Sequence, residues 1–180
     1  MTYGFPTATA LAEAVVSGAR TAVEVTEEAL ARVAERNGVL NAIVTLNSRA
    51  LDEARAIDAR LASGDPVGPL AGLPVGIKDI TPVAGLRTTY GSPIHADHVP
   101  DADAVVVERL RRAGAVILGK TNTPEFAAGA NTWNTVFGAT RNPWDPALTS
   151  GGSTGGGAAA LATGMIALAD GTDLGGSLRI

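Results

Sequence analysis

The chain has 180 residues, no cysteine and a net charge of −4, with 46% hydrophobic and 18% charged residues, a globular balance with enough chain for a sizeable core. Without a basic run or interleaved aromatics it carries no electrostatic footprint for nucleic acid, and without cysteine it has no disulfide, thiolate nucleophile or Cys-based zinc site. The N-terminus lacks the basic region of a signal peptide and no apolar run reaches the ~18 residues of a membrane span, so a cytoplasmic protein without a membrane partner is expected.

Thr7 is placed to cap a first helix running to about Ser17. Thr21 is placed to cap a second, with Val23, Ala29, Leu30, Val33 and Ala34 mainly on one stripe and an end at Asn37-Gly38. "LNAIVTLN" (40–47) reads as a strand, and Ser48 to Ala62 as a third helix stopped by Ser63-Gly64. Residues 1–71 thus form a helical lead-in. From Leu73 the texture changes: the strand "LPVGIKDI", a loop to Pro100, a helix 103–113 with Val106, Leu110 and Ala113 inward, and the strand "AVILGK" (115–120). That alternation predicts parallel α/β structure from Leu73 on. A short helix in "PEFAAGA", an irregular stretch to Thr149, a glycine-rich loop, a helix to about Gly164 and the strand "MIALA" follow.

The loop "SGGSTGGG" (150–157) raises a question of ligand, because glycine amides leading into a helix start form an anion cradle. A phosphate loop brings a lysine onto the phosphates, and no lysine follows Thr121. A dinucleotide fingerprint follows directly on a strand, whereas Pro143 and Pro146 interrupt the approach here. A purely structural turn remains; any better reading must use the hydroxyls.

Among fourteen cationic residues only Lys78 and Lys120 are lysine. Arginine keeps its proton in proteins, whereas a buried lysine loses it readily, so lysine alone can serve as a neutral base near pH 7. Lys78 ends an apolar run where a cation is costly, which favours a chemical role; the adjacent Asp79 would point to the other face of the strand. Lys120 precedes the cap-like "TNTPE", where snorkelling or bonds to loop carbonyls give it a structural role.

"GLPVGIKD", "GAVILGKTNTPEF", "FGATRNPWDP", "GGSTGGGAAALATGM" and "ADGTDLGGSLRI", in that order from about Gly72 to Ile180, resemble the amidase signature family of serine hydrolases. The resemblance implies an α/β fold whose mixed central sheet is covered by helices on both faces, here its N-terminal portion. It implies a catalytic triad of Lys78 as base, Ser153 as bridging hydroxyl with a cis peptide from Gly152, and Ser177 as nucleophile. Serine needs a neighbouring base to become nucleophilic, and lysine is an accepted one. Backbone amides of Leu174, Gly175, Gly176 and Ser177 are then expected to form the oxyanion hole, Thr154, Asp173 and Arg179 to orient the loop, and Gly129, Ala130 and Asn131 to line the substrate pocket. Trp133 and Phe137 read equally as core or substrate contacts. Thr154 and Gly157 stand where many relatives have serine, and Gly157 is expected to lack a supporting hydrogen bond. The family needs no metal or cofactor, and His95 and His98 lie in a Pro-flanked loop without a third ligand.

The expected activity is hydrolysis of an amide-type C–N bond through an acyl-enzyme, with carbamates (urethanes) and esters open as further substrates. The rival readings are the glutaminase subunit of a tRNA-dependent amidotransferase, working with protein partners, and a noncatalytic fragment retaining the motifs. "NTWNTVFGATRNPWDP" looks more like stand-alone amidases. A homodimer is left open. Ser177 lies three residues before Ile180, so polypeptide beyond Ile180 is expected to complete the sheet and acyl pocket.

Overall fold

The computed structural model describes residues 5–179. Three helices open the chain: α1 (Ala8–Val16), α2 (Ala22–Leu40) and α3 (Ala50–Ala62). Thr7 Oγ1 accepts the Ala10 N–H at 3.1 Å, and Thr21 and Glu24 form a reciprocal capping box at 3.0 and 2.8 Å. Asp58 of α3 accepts the Ala22 and Val23 N–H groups, placing a carboxylate on the positive end of α2.

α2 runs through the stop expected at Asn37-Gly38. The Asn37 side chain stays in the helix and bonds the chain leaving it, accepting the Ala42 and Ile43 N–H groups at 2.9 Å each. The left-handed residue that ends the helix is Asn41, at φ 51°.

A four-stranded sheet lies behind these helices: β1 (Ile43–Leu46), β2 (Pro74–Lys78), β3 (Val116–Thr121) and β6 (Leu168–Ala169), in the order β1-β3-β2-β6. β1 is antiparallel to β3, while β2 is parallel to both β3 and β6, so the sheet is mixed as expected. β4 (Trp133–Asn134) and β5 (Gly138–Ala139) make a small hairpin inside the stretch expected to be irregular. One sheet face packs α1, α2, α3 and α5 (Gly155–Ala162) around Val116, Leu118 and Met165; the other carries α4 (Val105–Arg112) over Val75, Ile77 and Ile117. Among the described residues no helix is long and apolar enough to cross a membrane.

Two further elements differ from their sequence reading. α4 turns Val107 inward, 0% exposed, and leaves Val106 44% exposed. Ion pairs from Arg111 to Glu53 at 2.7 Å and Asp103 at 2.9 Å hold that rotation. "PEFAAGA" makes a single 3₁₀ turn, Glu125–Ala127, because Phe126 and Ala127 take positive φ and the Phe126 N–H is diverted to the Tyr90 carbonyl at 2.7 Å.

β3 carries a bulge that decides where its lysine points. Val75 pairs with Ile117, but the next residue, Gly76, pairs with Gly119, so Leu118 is extra. Past the bulge Lys120 is the partner of Ile77 and Thr121 the partner of Lys78, which sends the two lysines to opposite faces. Glycine is required at 119, since a Cβ there would lie 2.4 Å from the Thr45 carbonyl oxygen.

Candidate active site

Lys78 is the last residue of β2, a strand buried along its whole length. Its Nζ donates to three hydroxyls: Ser153 Oγ at 2.7 Å, Thr154 Oγ1 at 2.9 Å and Thr172 Oγ1 at 3.0 Å. Ser153 Oγ in turn donates to Ser177 Oγ at 2.8 Å. The three residues of the expected triad therefore form one hydrogen-bonded line, contributed by a strand end, a helix-entry loop and the segment after β6. The Gly152-Ser153 peptide is cis.

The glycines around Ser153 are there for close approach. A Cβ on Gly156 would fall 2.3 Å from the Asn122 amide nitrogen, and one on Gly155 would fall 2.4 Å from the Thr132 and Ser150 hydroxyl oxygens. α5 can begin against the ends of β3 and the 131–132 backbone because it has no side chains in its first turn. That contact sets Ser153 over Lys78.

Burial pushes the Lys78 amine down to about 8, and the Asp170 and Asp173 carboxylates oppose the shift. Asp170 accepts the Lys78 backbone N–H and the Thr81 hydroxyl, the latter at 2.8 Å. Its own carboxyl is raised by burial. Asp173 gathers the Ser177 loop, accepting the Gly176 N–H at 2.8 Å, the Leu178 N–H at 3.2 Å and both arms of Arg179 at 2.9 Å. The Arg179 bond holds the Asp173 carboxyl well below the usual range.

Of the four amides expected in the oxyanion hole, Gly176 N–H is taken by Asp173. Among the described residues the amides of Leu174, Gly175 and Ser177 donate to no protein acceptor. Thr154 does more than orient the loop: its hydroxyl touches the Lys78 amine. Gly129, Ala130 and Asn131 are exposed. Asn131 meets the site through its backbone, 2.8 Å from where a Gly152 Cβ would lie, and its Oδ1 accepts the Thr149 hydroxyl at 2.9 Å. The cavity beside Ser177, 160 Å³, is walled instead by the glycine loop, by Ala158 and Leu161 of α5, and by Ala169, Asp170 and Leu178.

Trp133 is 57% exposed, whereas Phe137 is half-buried with the Arg87 guanidinium 5.1 Å from its ring centre. His95 and His98 pack on the ring of Tyr90 at 5.0 and 6.0 Å. Thr121 Oγ1 is buried without a hydrogen-bond partner, 3.8 Å from where a Cβ on Gly157 would stand. A serine at 157 would stand within reach of it.

Sequence reasoning missed Thr172, Asp170 and Thr81. The available signal was "MIALAD", an apolar run ending in an acid just as "LPVGIK" ends in a base, two neighbouring strands stopping at one sheet edge.

The family described as Amidase matches residues 24–180 of this chain. The chain belongs to the amidase signature family. It is 49% identical over 170 residues to a Glutamyl-tRNA(Gln) amidotransferase subunit of Thermobifida fusca (strain YX), covering 94% of this chain and 34% of that protein. Among solved structures it is similar to a chain of a vestigial protein complex bearing on the evolutionary origins of an s-triazine catabolic enzyme (TM-score 0.93, 44% identity, 97% of this chain and 38% of that one). It is also similar to a bacterial aryl acylamidase of the amidase signature family (TM-score 0.91, 35% identity, 97% and 36%). The chain spans about a third of the length of the curated relatives it matches.

Proposed function

We propose that this amidase signature chain carries the catalytic centre of an amide C–N hydrolase working through an acyl-enzyme. The observation that carries the reading is the line from Lys78 Nζ to Ser153 Oγ to Ser177 Oγ, at 2.7 and 2.8 Å. With Lys78 neutral, the two hydroxyls turn so that Ser177 Oγ donates to Ser153 Oγ and Ser153 Oγ to Lys78 Nζ; Ser177 Oγ then bonds to the substrate carbonyl carbon while its proton passes to Ser153, whose own proton moves to Lys78 Nζ. The free amides of Leu174, Gly175 and Ser177 are the donors available to the oxyanion. Collapse breaks the C–N bond, and the leaving nitrogen takes a proton back along the same relay. Water then attacks the acyl-Ser177 ester, restoring the serine and releasing the acid.

For the substrate, the curated relatives outweigh the stand-alone look of "NTWNTVFGATRNPWDP". Proteins named as subunits of Glutamyl-tRNA(Gln) amidotransferase match at 45 to 51% identity. The carboxamide of glutamine, hydrolysed to release ammonia for partner subunits, is therefore the leading substrate. The walls of the 160 Å³ cavity suit a slim primary amide. A hydrolysis panel of glutamine, an aliphatic amide, an anilide, a carbamate and an ester, run on the full chain with and without copurifying subunits, tests this. Glutamine turnover that rises with partners is expected. Anilide or carbamate turnover without partners, and none of glutamine, would return the reading to a stand-alone amidase.

A further inference from the structure

Lys120 is as buried as Lys78, 0% exposed, yet it contacts neither serine. Its Nζ donates to the Thr81 carbonyl and to Thr88 Oγ1 at 3.0 Å, and lies 4.0 Å from Asp79 Oδ1. It does not snorkel, then, but it does bond a loop carbonyl. The residue it grips closes the turn that follows the catalytic strand. Thr81 N–H donates to the Lys78 carbonyl at 2.9 Å, and Thr81 Oγ1 donates to Asp170 at 2.8 Å. Asp170 receives the Lys78 N–H with its other oxygen.

We infer that Lys120 is a positioning residue for Lys78, acting through Thr81 and Asp170 from the opposite face of the sheet. A buried ammonium is expensive, and as a structural element alone it is often replaceable by an apolar side chain at no loss of stability. What an apolar side chain cannot do is hold a carbonyl. The compact ammonium draws the Thr81 carbonyl toward the α4 face, which leaves the Thr81 hydroxyl aimed at Asp170 and fixes Asp170 against the Lys78 backbone. Both ends of the Lys78–Thr81 turn are thereby tied, and the Lys78 side chain leaves β2 in one direction, toward Ser153. Arginine, a planar fork, does not present the same point charge in a sealed site.

The inference rests on the assignment of Ser177, Ser153 and Lys78 given above, and its test keeps the two separable. The rate of covalent labelling by a fluorophosphonate reports the nucleophilicity of Ser177 without knowledge of the natural substrate. In the full chain, Lys120→Met and Thr81→Val are each expected to slow labelling by about 10- to 100-fold while both proteins still melt cooperatively. Thr81→Ser, which keeps the hydroxyl, recovers most of the rate. The double variant Lys120→Met/Thr81→Val is expected to be no slower than the slower single, since both act on one path. With glutamine or an anilide as substrate the loss falls on kcat and leaves KM in place. Labelling of Lys120→Met or Thr81→Val at the wild-type rate, or losses that multiply in the double variant, would overturn the inference. If Lys120→Met does not fold, Thr81→Val against Thr81→Ser decides it alone. Labelling that persists in Ser177→Ala would instead sink the underlying catalytic assignment.

Discussion

The ends of β2 and β3 form a natural experiment: each carries a fully buried lysine whose amine burial holds down to about 8, one on each face of the same sheet. Their surroundings differ. Lys78 meets only hydroxyls at its Nζ, two of them belonging to the serine line and its neighbour Thr154. Lys120 meets a carbonyl, a threonine and, at 4.0 Å, the Asp79 carboxylate, in a sealed site. A lowered proton affinity therefore does not mark a base. Under the proposed assignment what marks it is contact with the serine line, from which the β3 bulge turns Lys120 away.

The largest expected effect lies on the Lys78 face. Ser177→Ala should abolish fluorophosphonate labelling and cut hydrolysis by more than about 10⁴-fold, as removal of a nucleophile does. Next, Lys78→Arg keeps the charge but cannot lose a proton, so turnover should fall by about 10³-fold. An active Lys78→Arg protein would erase the distinction between the two lysines. The same assignment fixes the sign of the pH dependence. Lys78 accepts a proton only when neutral, so with its amine near about 8 the rate should fall about tenfold per pH unit below that midpoint and level off above it. A pH–rate profile flat from 6 to 9 would remove the base.

The acids sharpen the comparison further. Asp170→Asn disturbs the Lys78 backbone and the Thr81 tether together and should cost about 10- to 100-fold in kcat. Asp79→Asn leaves the serine line untouched, because Asp79 serves Thr89 at 2.5 Å and Lys120 on the other face, and its loss should be smaller, about tenfold or less. Steady-state kinetics of the pair would reverse the assignment of faces if Asp79→Asn proved the more damaging. The smallest effect expected is on stability: Gly157→Ser should give the buried Thr121 hydroxyl a partner and raise Tm by about 1–4 °C, with crowding against Ala169 limiting the gain. A drop in Tm by calorimetry would show that crowding wins.

Local signals carried much of the fold and the site. Thr7 and Thr21 cap the helices they were expected to cap, and the strands ending at Lys78 and near Lys120 lie where apolar runs of β-branched residues stop. Asn37-Gly38 misled because the Asn37 side chain satisfies backbone groups of residues 42 and 43 from inside the helix, a bond no window of local pattern displays. "PEFAAGA" misled because the Tyr90 carbonyl, 36 positions upstream, takes the amide that a helix would have used. In α4 the choice between Val106 and Val107 was settled by Arg111 and its partners Glu53 and Asp103.

By itself the sequence determined which groups are available for chemistry: two lysines among the cations, no thiol, and serines 24 positions apart in glycine-rich segments. It also determined most of the helix starts, because caps act over three or four residues. Only the tertiary structure decided how those groups are shared out. A one-residue bulge in β3 reverses the side-chain alternation and separates the lysines. A glycine-lined helix start comes within van der Waals range of Asn122 and sets Ser153 over Lys78. Asp170 arrives from β6 to tie the two faces together at the end of the sheet. The physical reason is distance along the chain: these contacts join residues dozens of positions apart, and their geometry depends on the packing of the whole sheet.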